Sequence, residues 1–99
     1  MPKRHYTAEF KQEAASLVLD QDYTVVDACE AMGIGQTAMR RWVAQLRQER
    51  DGVTPSVGKA ITPEHREIQA LKEQVRRLQR EKDILKKASA LLMSEAFSV

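Results

Sequence analysis

One cysteine, five aromatic residues and no long apolar run set the first limits on this 99-residue chain. With Cys29 alone, no internal disulfide can form. It lies in Ala28-Cys29-Glu30-Ala31-Met32 and reads as a small core residue rather than a reactive thiol. His5 and His65 have no Cys or carboxylate at ligand spacing, so neither a metal site nor a cofactor is expected. No apolar stretch approaches the roughly 18 residues of a membrane span. The opening Met-Pro-Lys-Arg-His-Tyr lacks the apolar core of a secretory signal. A cytoplasmic protein with no membrane partner is the expectation. Paired carboxylates, a nucleophile triad and a phosphate loop are also missing, so no catalytic residue and no enzyme activity are expected.

Apolar residues make up 42% and charged residues 30%, a composition that suits helices with one buried face. Net charge is only +2, so charge alone says little about a nucleic-acid partner. Within the first 50 residues seven basic groups meet seven acidic ones. A basic face requires the fold to segregate them.

Periodicity divides the chain into an N-terminal domain (1–50), a linker (51–62), a long helix (63–93) and a tail (94–99). Thr7 can cap a first helix over 7–19, with Phe10, Ala14, Leu17 and Val18 on one face. Thr24 begins a second, with Asp27 three residues on as in a capping box, and Gly33 ends it. A third helix runs from about Gln36 to Arg50, its apolar stripe made by Met39, Trp42, Val43 and Leu46. The stretch DGVTPSVGKAIT holds Gly, Pro and Ser without a sustained period and reads as a mobile connector. Thr62-Pro63-Glu64 then supplies an N-cap, a proline at the first helical position and an acid in the first turn. The helix that follows spans about 31 residues, roughly 46 Å. The expected fold is all-α: a three-helix helix-turn-helix domain, a linker, and a helix forming a parallel coiled coil.

Residues 24–46 carry the helix-turn-helix pattern. Two short helices meeting at a steep angle need a small residue, a glycine turn, an apolar plug and anchors on the second helix. Ala28 or Cys29, then Gly33, Ile34, and finally Met39 and Trp42 meet these needs in order. With Met39 and Trp42 inward, Gln36, Thr37, Arg40 and Arg41 point outward, placed to reach base edges in a major groove. Arg pairs with guanine, Gln with adenine, and Thr meets a base or a thymine methyl. Arg47 adds a further DNA-binding candidate, and Lys3, Arg4 and His5 could form a basic arm touching phosphate or minor groove, with an ordinary disordered tail as the plainer alternative. The plainer alternative is a helical hairpin with a solvated arginine pair.

Leu71, Leu78, Leu85 and Leu92 recur every seven residues. As d positions they put Ile68, Val75, Lys82 and Ser89 at a, the pattern of a parallel two-stranded coil with a polar break at Lys82. The g–e pairs are Glu67 with Lys72, Gln74 with Gln79 and Glu81 with Lys86, none of them repulsive. A self-compatible dimer is expected, and Ile84, Ala88 and Leu91 leave a second apolar set that could pack against another protein region or widen the oligomer. A long amphipathic helix folded back on its own domain is the plainer alternative.

RHYTAEFKQEAASLVLD, ACEAMGIGQTAMRRWVAQL and LQREKDILKKASALLMSE, taken together, resemble the first-reading-frame proteins of two-frame bacterial insertion sequences. The resemblance covers nearly the whole chain. It implies a helix-turn-helix and leucine-zipper product that binds double-stranded DNA at the element's terminal inverted repeats, multimerises and modulates transposition. By that similarity Gln36, Thr37, Arg40 and Arg41 would read the repeats. A ribosomal frameshift near ILKKASALLM would fuse the product to a downstream DDE catalytic frame, making the full-length transposase a partner. Two other readings stay open at this point, a free-standing transcriptional repressor and a coiled-coil scaffold.

Overall fold

The computed structural model describes residues 5–97, with side chains through residue 94. Four helices form and, among the described residues, no strand: α1 (Ala8–Asp20), α2 (Val25–Met32), α3 (Gln36–Arg50) and α4 (Pro63–Phe97). The all-α expectation holds. The chain divides into two compact units, residues 1–69 and 70–99.

Local chemistry sets the helix ends. The Thr7 hydroxyl accepts from Phe10 N–H at 3.1 Å, and the Thr24 hydroxyl accepts from Asp27 N–H at 3.1 Å. Each satisfies one of the donors a helix start leaves open. At the far end of α2, Gly33 turns left-handed with φ 69°. That conformation lets Ile34 N–H reach back to the Cys29 carbonyl at 3.0 Å, the six-to-one bond of a Schellman stop.

Small residues let the helices approach. Ala14, Ala15 and Ala28 are fully buried, so α1 and α2 come close to α3, which contributes Met39, Trp42, Val43 and Leu46 to the core. Tyr6 and Phe10 stack at 5.2 Å, and both meet Trp42 edge-on, at 5.1 and 6.2 Å. Such pairs add about 0.5–1.5 kcal/mol beyond the area they bury.

Residues 51–62, expected as a mobile connector, are instead a folded loop of the N-terminal unit. Ile61 is fully buried in the same core as Met39 and Leu46. Burying one such side chain stabilises by roughly 1.5–3 kcal/mol. Side chains from the flanking helices then take up the loop's backbone polar groups. Gln45 donates to the Lys59 carbonyl at 3.0 Å. Gln69 accepts from Ala60 N–H at 2.9 Å and donates to the Pro55 and Gly58 carbonyls. Thr54 Oγ1 and His65 Nδ1 lie 2.7 Å apart. These bonds come from residues 9 to 14 positions away, which no local period can display.

Glu49 is the main tie. The residue is 2% exposed, and its carboxylate accepts from Ile61 N–H at 2.8 and 3.1 Å, Thr62 N–H at 2.8 Å, the Thr62 hydroxyl at 2.8 Å and the Gln45 amide at 2.8 Å. Burial pushes this carboxyl up, but the Ile61 and Thr62 N–H groups, the Gln45 amide and the Thr62 hydroxyl outweigh it and hold it below the ordinary carboxylate range. A negative charge at the start of α4 also suits the helix dipole. Thr62 is the cap foreseen for α4: its hydroxyl accepts from His65 N–H at 3.3 Å while donating to Glu49.

The first turns of α4 thus belong to the N-terminal unit, and the division falls after Gln69 rather than at the loop. At the other end α4 runs through Phe97, so residues 94–97 of the expected tail are helical. No glycine or proline intervenes to stop it.

Candidate nucleic-acid interface

The α2–turn–α3 segment positions the candidate reading face. Buried on the inner side are Ala28, Cys29, Ile34, Met39 and Trp42, at 0–8% exposure. Because a helix turns once in 3.6 residues, fixing Met39, Trp42, Val43 and Leu46 inward forces other α3 positions outward. Gln36, Thr37, Arg40, Arg41 and Arg47 are all exposed. Arg40 Nη2 donates to Gln36 Oε1 at 3.3 Å, so these two side chains, one turn apart, present themselves together. The α3 N-cap is Gly35, which supplies no side-chain acceptor. Lys3 and Arg4 of the proposed basic arm lie outside the described residues.

The fold sorts the charges that the sequence leaves mixed. Arg50 holds Asp20 through two hydrogen bonds of 2.6 and 2.7 Å. The Arg50 guanidinium keeps the Asp20 carboxyl below its ordinary range, and Asp20 in turn pushes Arg50 up. Arg66 pairs with Glu9 at 3.2 Å. With Glu49 taken up by the loop, three acids of the first 50 residues are already engaged. Among the described residues, Arg40, Arg41 and Arg47 enter no salt bridge.

On α4 the heptad positions Leu71, Val75, Leu78, Leu85 and Leu92 are 52–67% exposed in the single chain, and Lys82 and Ser89 are exposed too. Ile68 is different: it is half-buried and falls within the N-terminal unit. Ile84 and Leu91, the second apolar set, are also exposed, at 65% and 67%. Lys59 and Arg66 were not singled out from sequence. The fold brings them beside Lys11 and Tyr6 around a cavity at the start of α1, a meeting of three distant segments with no local signal. Among the described residues, no group of three or more His, Cys, Asp or Glu could hold a metal ion, and no helix is long and apolar enough to cross a membrane.

The family model HTH_Tnp_1, described as Transposase, matches residues 1–81. Relatives come from Escherichia coli (strain K12). "Putative transposase InsN for insertion sequence element IS911A" is 53% identical over 89 residues, which is 90% of this chain and 66% of the relative. "Putative transposase InsN for insertion sequence element IS911B" is 52% identical over 87 residues, 88% of this chain and 98% of the relative. "Putative transposase YkgN" is 30% identical over 89 residues, 90% of this chain and 75% of the relative. No solved structure matches the chain. The chain spans just under two thirds of the first of these relatives and nearly all of the second. By a match over most of its length and identity above one half, the chain belongs to the HTH_Tnp_1 transposase family.

Proposed function

We propose that this protein is the sequence-specific DNA-binding, multimerising and non-catalytic component of an insertion-sequence transposition system. It binds the element's terminal inverted repeats and regulates transposition. The observation that carries the reading is the outward row Gln36, Thr37, Arg40 and Arg41 on α3, set just after the Gly33 turn. Arg40 and Gln36 lie in the first two turns, where a recognition helix meets base edges. Arg47, further along α3, meets phosphate, as do Lys3 and Arg4. Membership of a transposase family supports transposition as the setting.

Leu71, Val75, Leu78, Leu85 and Leu92 form the seam of a parallel homodimer. Two chains joined this way place two reading helices on paired half-sites. The same seam would join this chain to the frameshift-fused transposase, whose catalytic domain supplies the chemistry. Binding of the purified protein to duplexes carrying the flanking inverted repeats, against shuffled duplexes over a range of salt, tests the reading. Specific complexes are expected, typically 10³-fold or more tighter than on shuffled DNA. Equal affinity for both duplexes would end it.

A further inference from the structure

We propose that the cavity at the start of α1, walled by Lys11, Lys59 and Arg66, holds a backbone phosphate of the bound duplex. This rests on the DNA-binding reading above and gives that binding a second foothold away from the reading row.

The cavity measures about 260 Å³ and is lined also by Tyr6 and Thr7. Its volume lies below the ~300–1,000 Å³ of sites that enclose a drug-sized ligand, so a small group suits it better than a whole nucleotide. Three cations from α1, the loop and α4 surround it, against the single carboxylate of Glu9, which Arg66 engages at 3.2 Å. The Arg66 side chain is 35% exposed, so part of its guanidinium is open to a ligand while it engages Glu9. A phosphate oxygen in the cavity meets it through the charge-assisted bonding that guanidinium and phosphate favour.

Position agrees with chemistry. Gln45 of α3 holds the Lys59 carbonyl at 3.0 Å, and Tyr6 packs against Trp42 at 5.1 Å, so the cavity borders the flank of α3. Arg41 lies four residues before Gln45, hence on that same flank. A duplex engaged by Arg41 has its phosphate backbone running alongside. The loop expected to be a connector is what places Lys59 there.

Lys59→Gln is the decisive variant, because the structural bond at this residue is made by its backbone carbonyl. Affinity for the inverted repeat and for an unrelated duplex is measured from low to high salt, with Arg40→Ala beside it. Lys59→Gln is expected to weaken both duplexes by the same factor and to reduce the slope of log affinity against log salt by about 0.9, one phosphate contact. Arg40→Ala is expected to weaken the repeat selectively. In parallel, inorganic phosphate is titrated into the full chain, and the Ala8 amide and Arg66 Nε–H resonances are expected to shift. An unchanged slope in Lys59→Gln, with Arg40→Ala still impaired, overturns the cavity assignment and leaves the reading helix intact. Phosphate-induced shifts in a parent that binds neither duplex overturn the DNA assignment, and the proposed function with it.

Discussion

The Glu49 carboxylate receives both the backbone N–H and the hydroxyl of Thr62, each at 2.8 Å, and so fastens the end of α3 to the start of α4. One buried charge closes the loop over residues 51–62 and caps the helix that carries the heptads. Losing an acceptor here leaves N–H donors buried and unmade, which is where hydrogen bonds weigh most.

Glu49→Gln is therefore expected to destabilise the N-terminal unit by about 1–3 kcal/mol at neutral pH. The replacement amide sets a donor against the donors of Gln45 or Ile61. The sign with pH follows from the lowered carboxyl. A group whose folded pKa lies below its unfolded value stabilises above the unfolded value, near 4.5, and loses that contribution as pH falls through the folded one. Chemical denaturation of parent and variant from pH 7 to pH 3 should show the gap narrowing in the acid range. Asp20 and Glu9 titrate alike in both proteins, so the gap isolates Glu49. A constant gap would mean that the carboxyl titrates alike in the folded and unfolded chain, and a gap widening toward acid would mean that burial outweighs its hydrogen bonds.

Trp42→Ala is expected to loosen or unfold the same unit, at a cost of about 3–5 kcal/mol. Trp42 is 5% exposed and touches Tyr6, Phe10 and the Lys11 ammonium, the last 5.9 Å from its ring. Thermal unfolding followed by circular dichroism measures it. Parental stability with lost DNA binding would make Trp42 a contact residue instead of an anchor.

Arg40→Ala and Arg41→Ala are expected to leave melting unchanged and to weaken binding to the cognate repeat. Each good bidentate base contact carries about 1–3 kcal/mol of discrimination. Arg40 is held beside Gln36, so Gln36→Ala should lower selectivity in the same direction. Competition binding at fixed salt is the measurement. Two arginine variants as tight as the parent would move the reading face off α3.

What the sequence disclosed was whatever is decided within a few residues. Thr7, Thr24 and Thr62 announce helix starts because a hydroxyl meets an N–H three positions ahead. Gly33 announces a stop because the chain must turn left-handed there. The α3 stripe is legible for the same reason: four apolar residues at helical spacing fix one face, and with it the opposite one. Ile61 and Glu49 were not legible. An isoleucine among Gly, Pro, Ser and Lys has no period, and a glutamate near the end of a helix usually faces solvent. Only the arrival of α3 and α4 at the same loop makes one a core residue and the other a cap. The meeting of Lys11, Lys59 and Arg66 is hidden for the same reason.

Assembly is expected to follow the exposed heptad face of α4. Leu71, Val75, Leu78, Leu85 and Leu92 are each more than half exposed in one chain, and a second chain in parallel register buries them. Since Ile68 is half-buried within the N-terminal unit, the effective seam begins at Leu71. Leu78→Asp combined with Leu85→Asp should give monomers whose N-terminal unit still folds, because Ile61, Glu49 and Trp42 owe nothing to those positions. Binding to a two-site target should fall far more than binding to one half-site, since linked sites gain from effective concentration. Lys82→Ile replaces the polar break with a β-branched residue, so it should raise the melting temperature and relax the limit on oligomer size. Sedimentation of the parent and both variants decides the matter. Dimers that survive the double Asp change, or a Lys82→Ile variant less stable than the parent, would show that the register runs through other residues, Ile84 and Leu91 first among them.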